Sequence, residues 1–161
     1  MFCFSFTFFS SRLSKLAFFV AAIALVVSAP AQARAQRGEA EPTFSDFKGV
    51  RIGSSAEEAR KKLGNPRDKG DDQDFYVFND TQAVQIFYDK TAKVSAISID
   101  YMSGANGIPS PKDVLGTEAD KKPDGALYKL VRYPKAGYWV SYSRTAGDSP
   151  TTTVTMQKIE H

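Results

Sequence analysis

Ser55-Ala-Glu-Glu-Ala-Arg-Lys-Lys-Leu-Gly-Asn-Pro66 decides how the rest of the chain is read. Ser55 has the side-chain oxygen that an N-cap needs, and Glu58, three residues on, completes a capping box. Ala56, Ala59 and Leu63 recur at helical spacing and, with Ile52 before the turn, form a narrow apolar stripe. Arg60, Lys61 and Lys62 put positive charge in the last turn, where the helix dipole favours it. Gly64 supplies a left-handed stop, and Pro66 forbids continuation. The stretch predicts a short capped helix that ends at Leu63.

A second pattern starts where that helix stops. Aligned without a gap, Leu63–Phe78 and Leu115–Leu130 share Leu63/Leu115, Gly64/Gly116, Asp68/Asp120, Lys69/Lys121, Asp72/Asp124 and Tyr76/Tyr128, all 52 residues apart. A fixed offset held across sixteen positions points to an internal duplication. Two units follow from it, 47–102 and 110–160, separated by the Gly-, Asn- and Pro-containing linker Ser103–Ser110.

Beyond each helix the hydrophobic period falls to two. Phe75–Phe78, Ala83–Tyr88 and Val94–Tyr101 read as strands of the first unit, and Ala126–Tyr133, Tyr138–Ser143 and Thr151–Ile159 as strands of the second. Connections as short as Asn79-Asp80 imply antiparallel meanders. In the second unit Ser110 caps a helix with Pro111 at its first position, and Gly116 ends it almost at once. The expected class is α+β: two tandem units, each a helix plus a three-stranded antiparallel meander, forming one curved sheet with helices on one face. Val84, Ile86, Tyr88, Ile97 and Ile99 are the expected buried side in one unit. Tyr138, Val140, Tyr142, Val154 and Met156 are its counterpart in the other, and the offset turns Tyr128 and Leu130 inward to match Tyr76 and Phe78.

The first 35 residues read as a secretory signal peptide. Arg12 and Lys15 precede the apolar run Leu16–Val27, and Ala31-Gln-Ala33 and Ala33-Arg-Ala35 offer small-x-small cleavage sites. That run is short for a permanent span, so no membrane span is expected once the leader is removed. Residues 36–46 are a polar, flexible lead-in, and 47–161 form a single domain. The whole chain carries 21 Lys and Arg against 18 Asp and Glu. Three of the basic residues, Arg12, Lys15 and Arg34, belong to the leader, which holds no acidic residue. The remainder is electrically balanced, which argues against a nucleic-acid footprint.

Catalytic chemistry finds few footholds. The only cysteine, Cys3, sits in the leader, and the only histidine, His161, is the terminal residue. Thiol, triad and zinc chemistry are therefore not expected, and neither is a cofactor or a metal. The cluster Asp68, Asp71, Asp72 and Asp74 lacks the spaced oxygens of a calcium loop and reads as a solvated turn.

Alternation singles out a surface instead. If Tyr138, Val140 and Tyr142 point into the core, Trp139 points away from it, and the same logic turns out Phe75, Val77, Gln85, Phe87 and Lys129. Aromatic groups on the free face of a sheet suit the core of an interface. Trp139, Phe87, Phe75, Lys129 and Gln85 are the candidate partner-binding residues, with no catalytic residue among them.

Gly53-Ser-Ser55, Glu58-Ala59, Leu63-Gly64-x-Pro66, Phe75-Tyr-Val-Phe78, Ile86-Phe-Tyr88 and Lys93-Val-Ser-Ala-Ile97 together resemble the SmpA/OmlA outer-membrane-assembly lipoprotein domain, over about residues 49–101. The doubled unit is similar to the β-lactamase-inhibitory-protein architecture. The lipoproteins carry an acylated cysteine just after the leader, and no cysteine follows the apolar run here. The leader and the open sheet face point to a periplasmic or secreted binding module for a protein or cell-envelope component. Its alternative is a structural accessory factor in outer-membrane or envelope assembly.

Overall fold

The computed structural model describes residues 41–160. The expected leader with Cys3, the start of the lead-in and His161 lie outside the described residues. After helix α1 (Ala56–Leu63) come strands β1 (Asp68–Lys69), β2 (Gln73–Asn79), β3 (Gln82–Tyr88) and β4 (Val94–Tyr101). Helix α2 (Pro111–Leu115) then leads into β5 (Asp120–Lys121), β6 (Leu127–Tyr133), β7 (Tyr138–Arg144) and β8 (Thr152–Lys158). All eight strands belong to one antiparallel sheet in the order β1-β2-β3-β4-β8-β7-β6-β5. The chain meanders to β4, crosses to the far edge, and meanders back until β8 pairs with β4.

This corrects the expected class. Among the described residues the molecule is mostly β, a single eight-stranded sheet with helices of eight and five residues, and not two helix-plus-three-stranded-meander units. Two features account for the difference. Asp68–Lys69, at the start of the expected turn, and its counterpart Asp120–Lys121 are the edge strands β1 and β5. The gap-free offset also fails inside the sheet: four residues separate the paired Lys69 and Asp74, whereas five separate Lys121 and Leu127. That extra residue, accommodated by Gly125 at φ 90°, slips β6 by one position. A slip of one reverses every side chain.

Tyr76 pairs with buried Val84 and is itself buried, whereas Tyr128 pairs with Ser143 and is 43% exposed. Leu130, opposite Ser141, faces away from the core as well. Leu127 and Val131 pack against the core in their place.

The core lies on one face of the sheet. Central to it are Ile97 paired with Met156 and Ile99 paired with Val154, all essentially inaccessible. Val84, Ile86, Val140 and Tyr142 extend this layer on either side. α1 adds Ala56 and Ala59, and α2 adds Val114 and Leu115. Phe47 and Val50, brought together by a tight bridge over Lys48 and Gly49, complete the layer, with Phe47 edge-on to Phe78 at 5.8 Å.

The helix ends fall at the expected residues, with two departures: Gly64 stops α1 at φ 87° and ψ −159°, outside the left-handed helical region that Gly116 adopts after α2, and the capping box at Ser55 is incomplete. Ser55 accepts the Glu58 N–H, yet the Glu58 carboxylate turns to Lys62 at 2.6 Å, so the box stays half-made. The complete capping box is at α2, where Ser110 and Asp113 each receive the other's backbone N–H.

Candidate functional site

The pairing registers place the open-face side chains in rows that cross the sheet. One row runs Gln73, Phe87, Ala96, Gln157, Trp139 and Arg132. The next runs Phe75, Gln85, Ser98, Thr155, Ser141 and Leu130. A third begins at Val77 and passes through Asp100, Thr153 and Ser143 to Tyr128. Neighbouring strands are about 4.8 Å apart, so Phe87 and Trp139, three strands apart in one row, stand roughly 14 Å from each other. The aromatic groups of these rows stand on the flanking strands, whereas β4 and β8 present Ala96, Ser98, Asp100, Thr153, Thr155 and Gln157. A depression over the middle is lined by Gln85, Phe87, Ala96, Ser98, Thr155 and Gln157. Part of its shape comes from a bulge: Phe87 pairs with Ala96 and Tyr88 with Val94, which leaves Ser95 as the extra residue.

Of the sequence candidates, Trp139, Phe87, Phe75 and Gln85 share this open face, each partly exposed. Phe75 and Gln85 are direct cross-strand neighbours. Lys129 does not join them. It pairs with Tyr142 on the core face, and its ammonium reaches Asp120 at 3.3 Å. The reason is the same slip of β6. Gln157, Ser98 and Thr155 join this face without being among the sequence candidates, although the inward expectation for their neighbours Ile97, Ile99, Val154 and Met156 implies it. Alternation alone puts these three on the other face.

A second feature lies on the core side. Asp74, expected in a solvated turn, is fully buried. It belongs to the same period-two series as Tyr76 and Phe78, a signal that continues inward past the apparent start of the strand. Arg60 of α1 donates to both of its carboxylate oxygens, at 2.7 Å from Nε and 3.0 Å from Nη2. Tyr88 donates its hydroxyl at 2.7 Å, Tyr76 at a longer 3.4 Å, and the Gly70 N–H at 3.3 Å. The remaining guanidinium reach goes to the Gly70 carbonyl, and the cation lies 5.5 Å from the Tyr88 ring centre.

Burial pushes the Asp74 carboxyl up, but the hydrogen bonds from Arg60 and Tyr88, the Arg60 charge and the Gly70 N–H outweigh it and hold the group below its ordinary value. Burial, with the neighbouring carboxylate, pushes the Tyr76 hydroxyl up to about 12 and the Tyr88 hydroxyl up as well. No buried side-chain donor or acceptor among the described residues lacks a partner. A network this fully paired has nothing left over for a ligand. What it does is fasten α1 to β2 and β3.

Among the described residues, no group of three or more His, Cys, Asp or Glu side chains could hold a metal ion. No described helix is long and apolar enough to cross a membrane. No protein-family model matches the chain, and no curated protein or solved structure does so either.

Proposed function

We propose that this chain is an exported, non-catalytic binding module, working in the periplasm or outside the cell, whose partner lies on the open face of the sheet. The observation that carries the reading is the placement of Phe87 and Trp139 in one cross-sheet row, opposite the core, with the depression beginning at Phe87 and reaching Gln157 beside Trp139. A soluble domain gains nothing in folding by leaving such groups partly in water, whereas an interface gains most of its energy from them. Residues 36–160 contain no cysteine and no histidine, which supports binding over catalysis. The apolar run and cleavage sites before residue 36 support export. The SmpA/OmlA-like motifs of residues 49–101 support a partner that is a protein or another component of the cell envelope. The same motifs favour, as a second reading, a structural accessory factor of envelope assembly.

The test is co-purification of the full exported protein with cell-envelope components, in parallel with the double variant Phe87→Ala/Trp139→Ala. The bound component should be lost from the variant while its melting temperature stays within a few degrees of wild type. Recovery of the same component in equal yield by the variant would remove the open face from consideration.

A further inference from the structure

The partner's chemistry can be read from what lies between the two aromatic side chains. This inference rests on the open face being the binding face. A protein interface needs a contiguous apolar centre with a polar rim. Here the arrangement is inverted: the aromatic groups stand at the flanks, and the centre of the two rows that hold them is made of small, hydroxyl and amide side chains, with Asp100 in the next row held by Thr153. Across the middle of the two aromatic-bearing rows run Ala96, Gln157, Gln85, Ser98 and Thr155, and among the residues lining the depression only Asp72, at its edge, carries a charge. A polyanion such as a phosphate chain would find no cation there. The Arg132 at the end of the row lies beyond Trp139.

The hydrogen-bonding groups in this centre are also uncommitted. Ser98 Oγ and Thr155 Oγ1 lie 3.2 Å apart and share one hydrogen bond, so one hydroxyl proton and several lone pairs of the pair remain to be used. No hydrogen bond to another described residue engages the amides of Gln85 or Gln157. Each such amide both donates and accepts. A ligand matched to this surface carries no negative charge, offers vicinal groups that both donate and accept, and presents flat C–H surface to rings at either end. Peptide backbone offers donors and acceptors, but not alternating with apolar flat faces. A chain of pyranose rings offers both, because its hydroxyls lie around the ring edge and its axial C–H groups form the faces.

We infer that the open face binds a neutral polysaccharide strand. The strand lies across the sheet with one sugar ring on Phe87, another on Trp139, and the intervening hydroxyls hydrogen-bonded by Gln85, Gln157 and the Ser98–Thr155 pair.

The chain contains a single tryptophan, Trp139, which makes its emission a reporter of this face alone. The experiment titrates the full exported protein with chitohexaose, cellohexaose and xylohexaose, with a sulfated polysaccharide and an apolar hexapeptide as contrasting probes. The expected result is a saturable change in Trp139 emission with at least one neutral hexasaccharide. Affinity should weaken by about tenfold or more in Phe87→Ala and in Gln157→Ala, with the melting temperature of each variant unchanged. Saturation by the sulfated chain or the peptide, with no response to any neutral sugar, overturns the inference. Acrylamide quenching of the free protein separates the two levels. If acrylamide reaches Trp139 and no sugar shifts its emission, the glycan inference falls and the open-face reading stands. If acrylamide does not reach Trp139, the face is covered and both fall.

Discussion

α1 and α2 both place residues against the core face of the sheet, and they are fastened there by opposite means. α1 fully buries only Ala56 and Ala59, whose two methyl groups contribute little on an area scale, and sets Leu63 partly against the core. Its attachment depends on Arg60 reaching the buried Asp74 through a bidentate pair that Tyr88 and Gly70 complete. α2 has barely more than one turn and no charged group in the core. It buries Val114 and Leu115, each worth roughly 1.5–3 kcal/mol when fully removed from water. The difference shows that a short helix can be held on a sheet by a polar knot or by an apolar plug. The knot specifies geometry, whereas the plug supplies net stability, because desolvating two charges consumes most of what their attraction returns.

The sharpest way to break this contrast is to remove one half of the knot. Arg60→Met leaves Asp74 buried without its cation, and the expected loss is about 3–5 kcal/mol in chemical denaturation. Adding Asp74→Leu to that variant should restore most of it, because the site then becomes a second apolar plug. The pH dependence should change sign as well. In the wild type the Asp74 carboxyl sits below its ordinary value, so its contribution is complete above about pH 4 and is lost as pH falls through the lower folded value. In Arg60→Met, burial acts without the opposing charge and raises the folded value above the unfolded one. That variant should gain stability as pH falls toward about 4 and then level off, whereas the wild type is flat above about pH 4 and loses stability below it. Parallel acid limbs in the two proteins would show that the pair carries no such coupling.

The α2 side should respond more mildly and without a pH signature. Leu115→Ala opens a cavity near the end of a short helix, where the site can partly collapse, and the expected cost is about 2–3 kcal/mol. A loss of the same size at acid and neutral pH would confirm that no titrating group is involved. A pH-dependent loss would mean that the Asp113 carboxylate, which caps α2 and which Ser110 holds below its ordinary value, is coupled to the packing of Leu115.

Much of the sheet was legible because period-two alternation is a strong local signal. Six strands and the buried side of four central strands follow from it, while the helix at Ala56–Leu63 and its end at Gly64 follow from capping residues and helical spacing. What sequence could not supply was pairing. Asp68–Lys69 and Asp120–Lys121 are strands only because β2 and β6 lie beside them, and two residues carry no period of their own. Asp74 looked like one more acidic turn residue because its partner Arg60 is fourteen positions away, on a helix face otherwise read as solvated. Lys129, Tyr128 and Leu130 were assigned to the wrong faces for one reason. An identity alignment without gaps cannot see a one-residue insertion in a turn, and the sheet converts that insertion into a reversal.

The smallest expected effect gives the cleanest view of that reversal. Leu130 and Val131 are neighbours on β6, and ordinary size arguments would make the leucine the more costly to truncate. If the gap-free offset governed packing, Leu130 would match Phe78 in the core and Leu130→Ala would cost about 2–5 kcal/mol. The register instead sets Leu130 opposite Ser141 on the open face and Val131 opposite the fully buried Val140. Leu130→Ala should therefore cost under about 1 kcal/mol, near the range of surface substitutions. Val131→Ala, which removes less volume, should cost more, about 1–2 kcal/mol. Denaturation midpoints of the two variants decide the matter by their order alone. If Leu130→Ala proved the more damaging, β6 would have to move by one residue. Lys129 would then return to the open face beside Phe87 and Trp139, and the comparison between the two halves of the sheet would close.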